Sequence, residues 1–164
     1  MGEGEEGEIH VRSAYSMLRY WGNETATAET IKQGRWLAMG DIGKIIDGKL
    51  YINSRARDMI IRSGENIYPV EIEHRLESHP FIHEAAVLGV DDDEKGQIAK
   101  AIIVLNDNGQ FEVDTFLEWC LETLASYKVP EIWEHRTSAL PRTASGKVIK
   151  GALTGDREIS GFDD

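Results

Sequence analysis

The chain has 164 residues, 41% apolar and 29% charged, which suits one medium domain or a small domain with part of another and allows a modest core. No apolar run reaches the length of a bilayer span, the Met-Gly-Glu-Gly-Glu-Glu start is unlike a secretory signal, and a single cysteine, Cys120, rules out an intramolecular disulfide and fits a reducing cytoplasm. A net charge of −11 repels duplex nucleic acid and anionic membranes at long range, so neither is expected as a partner, while a nucleotide met by a few local cations is still allowed.

Residues 1–54 read as strands and turns with one or two short helices. The acidic run Glu3–Glu8 reads as a solvated end, as Asp91–Glu94 does further on. Gly7-Glu8-Ile9-His10-Val11-Arg12 alternates like a half-buried strand. The spacing of Tyr15, Leu18 and Trp21 predicts a short helix over residues 13–21. Ile42-Gly43-Lys44-Ile45-Ile46, Asp47-Gly48 and Lys49-Leu50-Tyr51-Ile52 predict a hairpin, because Asp-Gly supplies the positive φ angles of a type I′ turn. One hairpin and one extra strand cannot cover two sheet faces. The region is therefore expected to be the end of a larger sheet or barrel that begins upstream.

Residues 55–153 alternate helix and strand. Met59-Ile60-Ile61 reads as a short strand, followed by a loop through Ser63-Gly64-Glu65-Asn66. Pro69 suits the first turn of a helix carrying Val70, Ile72, Glu73 and Leu76 and stopping near His79-Pro80. Residues 84–90 and 98–105 are β-rich runs, and Asn106-Asp107-Asn108-Gly109 is a turn. Residues 113–124 predict an amphipathic helix with Phe116, Leu117, Cys120, Leu121 and Leu124 on one face. A short strand over 131–136 and a loop over 138–150 lead to a final helix, and residues 154–164 read as a flexible tail.

Three stretches carry chemistry. Leu140-Pro141-Arg142-Thr143-Ala144-Ser145-Gly146-Lys147 presents a lysine at the tip of an extended loop, a movable point charge suited to a phosphate or carboxylate. It is not a phosphate-cradling Gly-x-x-x-x-Gly-Lys loop, since Pro141 stands where the first glycine belongs. Taken alone, it reads first as a surface lysine in a polar turn. Ser54-Arg55-Ala56-Arg57-Asp58 followed by Ser63-Gly64-Glu65-Asn66-Ile67-Tyr68-Pro69 reads as an arginine-bearing segment with a glycine that permits close backbone approach, or as an interdomain linker. In Met39-Gly40-Asp41-Ile42-Gly43 an aspartate between glycines can accept hydrogen bonds from a ribose diol, or simply make a turn. His79 and His83 are separated by Pro80, and no carboxylate or cysteine completes a metal site with them. Cys120, Trp36, Trp119 and Trp133 read as packing residues.

In this order and spacing the three stretches resemble the adenylate-forming (AMP-binding) superfamily, and among it the acyl-CoA synthetases. The resemblance runs from Gly7 to Leu153 and includes Tyr20-Trp21-Gly22-Asn23. It implies an α+β fold: a small mixed sheet with flanking helices over residues 55–153, the C-terminal lid domain, preceded over 1–54 by a β-hairpin-rich remnant of the large domain. It implies an ATP-dependent acid–thiol ligase that forms acyl-AMP and then acyl-CoA, with ATP, Mg²⁺ and CoA as cosubstrates and none of them held tightly by this part. By the same resemblance Lys147 is the lysine that serves adenylation, Asp41 and Arg55 contact the nucleotide, and Arg57 is the hinge. Ser63, Gly64 and Glu65 line the path of CoA, with Lys95 beside it. Arginine at the hinge is a departure from the usual lysine or aspartate that keeps the positive charge of lysine. The Ser/Thr/Gly-rich phosphate loop and the acyl pocket, which the family places upstream, are not in this sequence. The expectation is an incomplete enzyme whose partners are the upstream large domain, ATP, CoA and a carboxylic acid, and which is nearly inactive alone. The same residues would serve the lid of an aryl-CoA ligase or a carrier-protein acylating ligase, or a stand-alone regulatory module.

Overall fold

The computed structural model describes residues 2–154. The chain divides into two compact units, Met1–Arg57 and Asp58–Asp164. The tail expected over 154–164 lies, apart from Thr154, outside the described residues.

The first unit is organised by one long strand. It comprises β1 (Gly7–Val11), α1 (Glu24–Thr30), β2 (Ile31–Lys32), β3 (Trp36–Ile46) and β4 (Lys49–Arg55). β3 pairs antiparallel with β1 along one edge, and with β2 and then β4 along the other. Asp47 and Gly48 turn β3 into β4 with φ of 50° and 70°, as the Asp-Gly pair predicts. The β3–β4 register slips between Ile42 and Gly43. There a Cβ on residue 43 would stand 2.4 Å from the Tyr51 carbonyl oxygen and 2.9 Å from Ile9 Cδ1, so the close approach of backbones requires glycine.

The helix expected over residues 13–21 does not form. The helix of this unit starts instead where Asn23 caps it, its side-chain oxygen accepting the Ala26 N–H at 2.9 Å. Tyr15, Leu18 and Trp21 are 97%, 78% and 94% exposed, so their helical spacing has no core to fold against. The N-terminal acids are not merely solvated: Glu3 accepts the Asp47 N–H at 2.6 Å, and Glu6 accepts from the Asn53 amide. Trp36, expected to pack, is exposed with the Arg12 guanidinium 4.8 Å over its ring. Among the described residues of this unit Gly43 alone is buried.

The second unit has β5 (Ile60–Arg62), β6 (Glu65–Ile67), α2 (Pro69–Glu77), β7 (Ile82–Asp92), β8 (Gly96–Leu105), α3 (Val113–Leu121) and β9 (Ile132–Arg136). The sheet runs β6-β5-β8-β7, and β9 lies parallel to β8. The loop expected at 63–66 is a second tight hairpin, with Ser63 and Gly64 at φ of 49° and 87° between β5 and β6. The final helix is reduced to a 3₁₀ turn over Lys150–Ala152.

Alternation along β7 and β8 divides the core into two faces. Ala85, Val87, Ala99, Ala101 and Ile103 face Ile72 and Leu76 of α2 and Phe116 and Cys120 of α3. Ala86, Leu88, Ile102 and Val104 pack with Leu140, Val148 and Leu153, which flank the loop that carries Lys147. Leu121, expected on the buried face of α3, is exposed because the helix buries its i, i+4 pair Phe116 and Cys120 instead. The two helices lock together at Arg75. Its guanidinium lies 3.8 Å over the Trp119 ring and donates to the Trp119 carbonyl, while the indole N–H donates back to the Arg75 carbonyl at 2.9 Å.

Candidate functional site

Lys147 stands at the exposed end of a small hairpin that is built almost wholly from hydrogen bonds. Arg142 and Val148 form its antiparallel bridge, and the Ile149 N–H donates to the Pro141 carbonyl at 2.7 Å. Across the tip, the Thr143 N–H donates to the Lys147 carbonyl at 2.8 Å and the Gly146 N–H to the Thr143 carbonyl at 2.9 Å. Gly146 has φ of 83°, a conformation that a side chain would strain. Among the described residues the Lys147 ammonium has no hydrogen bond or ion pair, and the residue is exposed. The arm that bears it is anchored at its far end. Lys150 Nζ bonds Glu73 at 2.7 Å and the Val87 carbonyl at 3.0 Å, while Glu73 accepts the Val87 N–H at 2.8 Å. These bonds also occupy the outer edge of β7.

A second group forms where β5 meets the start of β8. The Ser63 N–H donates to the Lys95 carbonyl at 2.7 Å, and Arg62 pairs in register with Gly96, so the exposed Ser63-Gly64-Glu65 turn and Lys95 are neighbours. Lys95 Nζ bonds Glu131 at 2.5 Å, and Arg62 bonds the other oxygen of the same carboxylate at 2.7 Å. The bond from Lys95, reinforced by Arg62, holds the Glu131 carboxyl below the usual range against a smaller opposing effect of burial. Asp92 caps the preceding turn, accepting the Lys95 N–H at 2.8 Å and the Glu94 N–H at 3.1 Å, and the Lys95 N–H above all lowers its pKa.

In the first unit Asp41 and Arg55 are cross-strand partners, with Arg55 Nε 3.1 Å from Asp41 Oδ1 and Nη1 donating to the Met39 carbonyl at 3.2 Å. The aspartate keeps acceptor capacity beyond that single contact. Arg57 lies in a 3₁₀ turn over Ala56–Asp58, at the division between the units. Arg57 aside, the sequence-expected residues thus fall into three groups: Asp41 with Arg55; Ser63, Gly64 and Glu65 with Lys95; and Lys147 by itself. Within the second unit no hydrogen bond or ion pair among the described residues joins the Lys147 side chain to the Ser63-Gly64-Glu65 and Lys95 group.

Sequence reasoning did not anticipate Arg142, Glu84, Glu73, Arg62 or Glu131. The charged residues are common types, and their pairings span 58, 14 and 69 positions of chain for Arg142–Glu84, Glu73–Val87 and Arg62–Glu131, so no local spacing signals them. Cys120 is buried, and desolvation pushes its thiol up to about 11. His79 is buried among the edges of Phe81, Phe116 and Trp119. Among the described residues no group of His, Cys, Asp and Glu is placed to hold a metal ion.

Residues 71–147 match the AMP-binding enzyme C-terminal domain. The fold, a small mixed sheet with helices and the lysine hairpin on opposite faces, is that of the lid domain of adenylate-forming enzymes, and the chain belongs to that family. Several of its relatives are CoA ligases. It is 43% identical over 151 residues to a feruloyl-CoA synthase of Amycolatopsis, covering 92% of this chain and 30% of that protein. A long-chain-fatty-acid–CoA ligase of Mycobacterium tuberculosis is 41% identical over 149 residues, covering 90% of this chain and 29% of the ligase. The o-succinylbenzoate CoA synthetase of Bacillus subtilis, solved with its acyl-adenylate intermediate, superimposes with a TM-score of 0.85 at 36% identity, over 96% of this chain and 32% of that one. The chain therefore spans about 30% of the length of the relatives it matches. No helix among its described residues is long and apolar enough to cross a membrane.

Proposed function

We propose that this chain is the lid-bearing part of a cytoplasmic ATP-dependent acid–thiol ligase, and that Lys147 supplies the cation for its first half-reaction. In that step a carboxylate oxygen attacks the α-phosphorus of ATP, the bond to the bridging oxygen breaks, and pyrophosphate leaves with the electron pair. Two anions converge and negative charge spreads over the phosphoryl oxygens. A positive charge delivered there lowers the barrier by relieving both. The observation that carries the reading is the exposed ammonium, without a partner among the described residues, on a hairpin fixed at its base. An internally paired lysine could not be lent to another part of the protein.

The second half-reaction needs a thiol at the same centre. The thiolate of CoA attacks the acyl carbonyl, and AMP leaves. Turning the lid about Arg57 would withdraw Lys147 and offer the Ser63-Gly64-Glu65 turn, with Lys95, to CoA instead. Separate placement of the two groups within one unit supports such an exchange. Asp41, steadied by Arg55, would take the ribose hydroxyls of ATP. Mg²⁺ would arrive on the triphosphate and share in neutralising its charge.

Acid choice is assigned to the rest of the protein. Relatives named for ferulate, long-chain fatty acids and succinylbenzoate resemble this stretch at 43%, 41% and 36% identity, so it is shared among unlike acids. The test is carboxylate-dependent ATP–pyrophosphate exchange with benzoate, ferulate, succinylbenzoate, octanoate and palmitate. The chain alone is expected to give none above background, and the chain joined to its upstream part is expected to give exchange with at least one acid. Robust exchange by the isolated chain contradicts the reading, as does a complete protein that is inert with ATP and every acid.

A further inference from the structure

We propose that Arg142, held by Glu84, is a positioning residue for Lys147. The proposal rests on the role given to Lys147 above and concerns how its side chain is aimed. A lysine stem is flexible along four carbons, so the point from which it departs must be well fixed if the ammonium is to meet a phosphoryl group. At the hairpin tip no apolar packing does this, since residues 142–147 are all exposed.

Hydrogen bonds grip the peptide plane between Gly146 and Lys147 from both sides. Its carbonyl oxygen accepts Arg142 Nη1 at 2.8 Å, and its N–H donates to Thr143 Oγ1 at 3.1 Å. Thr143 is itself steadied by Ser145, hydroxyl to hydroxyl at 2.9 Å. The Arg142 guanidinium reaches in the other direction to the sheet, its Nη2 lying 3.1 Å from Glu84 Oε2. That same carboxylate oxygen accepts the Leu140 N–H at 3.2 Å, where the chain enters the arm. Glu84 sits at the start of β7 with a side chain only 12% exposed, so it is a rigid post. A planar fork can bond the Gly146 carbonyl and Glu84 together, whereas an ammonium is a single point and cannot span both with the same geometry. Arg142 thereby ties the orientation of the Lys147 peptide to the sheet.

Displacement of a catalytic group by about 1 Å costs roughly a hundredfold in rate. The assay is the complete protein, with the acid from the panel that exchanges fastest, measured as ATP–pyrophosphate exchange and separately as CoA thioester formation from the supplied acyl-adenylate. Arg142→Met is expected to lower kcat for exchange by about tenfold to a hundredfold, with thioester formation within about twofold of the parent. Arg142→Lys should recover part of the loss. Glu84→Gln preserves size and an acceptor, guards against a misfolded Arg142→Met, and should show a smaller loss with the same selectivity. Wild-type exchange in both Arg142→Met and Glu84→Gln overturns the proposal, and so does an equal fall of both half-reactions in Glu84→Gln. Lys147→Ala run alongside separates the two ideas. If it exchanges normally, the role of the lysine itself fails; if it loses exchange while the Arg142 and Glu84 variants do not, only the brace fails.

Discussion

The two units of this chain are built on opposite principles. In Asp58–Asp164, Ile72, Ile102, Phe116 and Cys120 lose all contact with solvent, and both faces of the β7–β8 ladder are covered. In Met1–Arg57 the ladder is long, with register slips in both of its longer pairings, yet many of its large apolar side chains are exposed and Gly43 alone among the described residues is buried. Hydrogen-bonded pairing can draw a sheet, but only covered faces make it stable by itself. The second unit has a core of its own; the first has the turns and pairing of a sheet with one buried residue among those described, and we propose that the large domain covers it.

That contrast can be broken by substitution. Phe116→Ala should destabilise the second unit by about 3–5 kcal/mol, read as a fall in denaturant midpoint with loss of amide protection along β7 and β8. A loss under about 1 kcal/mol would mean that the core is looser than its burial indicates. At the other extreme, Trp21→Ala in the first unit should change the stability of the isolated chain by no more than about 0.5 kcal/mol. A cost comparable with that of Phe116→Ala would show that the exposed aromatic has a partner in the chain after all.

Between these lies a pH effect confined to the second unit. Burial first, and the neighbouring Arg75 charge second, hold the His79 pKa below its ordinary value of 6.5. Its Nδ1 accepts the Phe81 N–H at 3.2 Å, which fixes the neutral ring. Above pH 6.5 the histidine is neutral in folded and unfolded chains alike and contributes no pH dependence. As pH falls below that value the unfolded chain takes up the proton first, so stability declines, and the decline levels off once pH passes the lower folded-state value. Glu131 and Asp92, whose pKa values are lowered, add their own losses at more acid pH. The difference in unfolding free energy between the parent and His79→Gln, followed from pH 8 to pH 5, should isolate the histidine part as a slope beginning near 6.5; a flat difference contradicts it.

Much of this architecture was legible from residue order, and the failures have physical causes. Asp47-Gly48 announced its hairpin because the pair demands positive φ, and Pro69 with Ile72 and Leu76 announced α2. Ser63-Gly64 makes the same kind of turn, but its flanking strands are three residues each, too short to show an alternating period. Tyr15, Leu18 and Trp21 have helical spacing without a helix, because spacing records a face only where something packs against it, while the Asn23 cap was the local signal that counted. The chemical residues stood out through their motifs, above all Gly146-Lys147. Their supports, Arg142 to Glu84 and Arg62 to Glu131, are contacts between distant surface charges that no local pattern encodes.

The most direct test of the central claim is Lys147→Ala in the complete protein, assayed on the two half-reactions apart. Adenylation, followed as pyrophosphate exchange, should fall by about a hundredfold or more, while conversion of supplied acyl-adenylate to the CoA thioester stays within about threefold of the parent. Equal loss of both steps, or exchange at the parental rate, contradicts it.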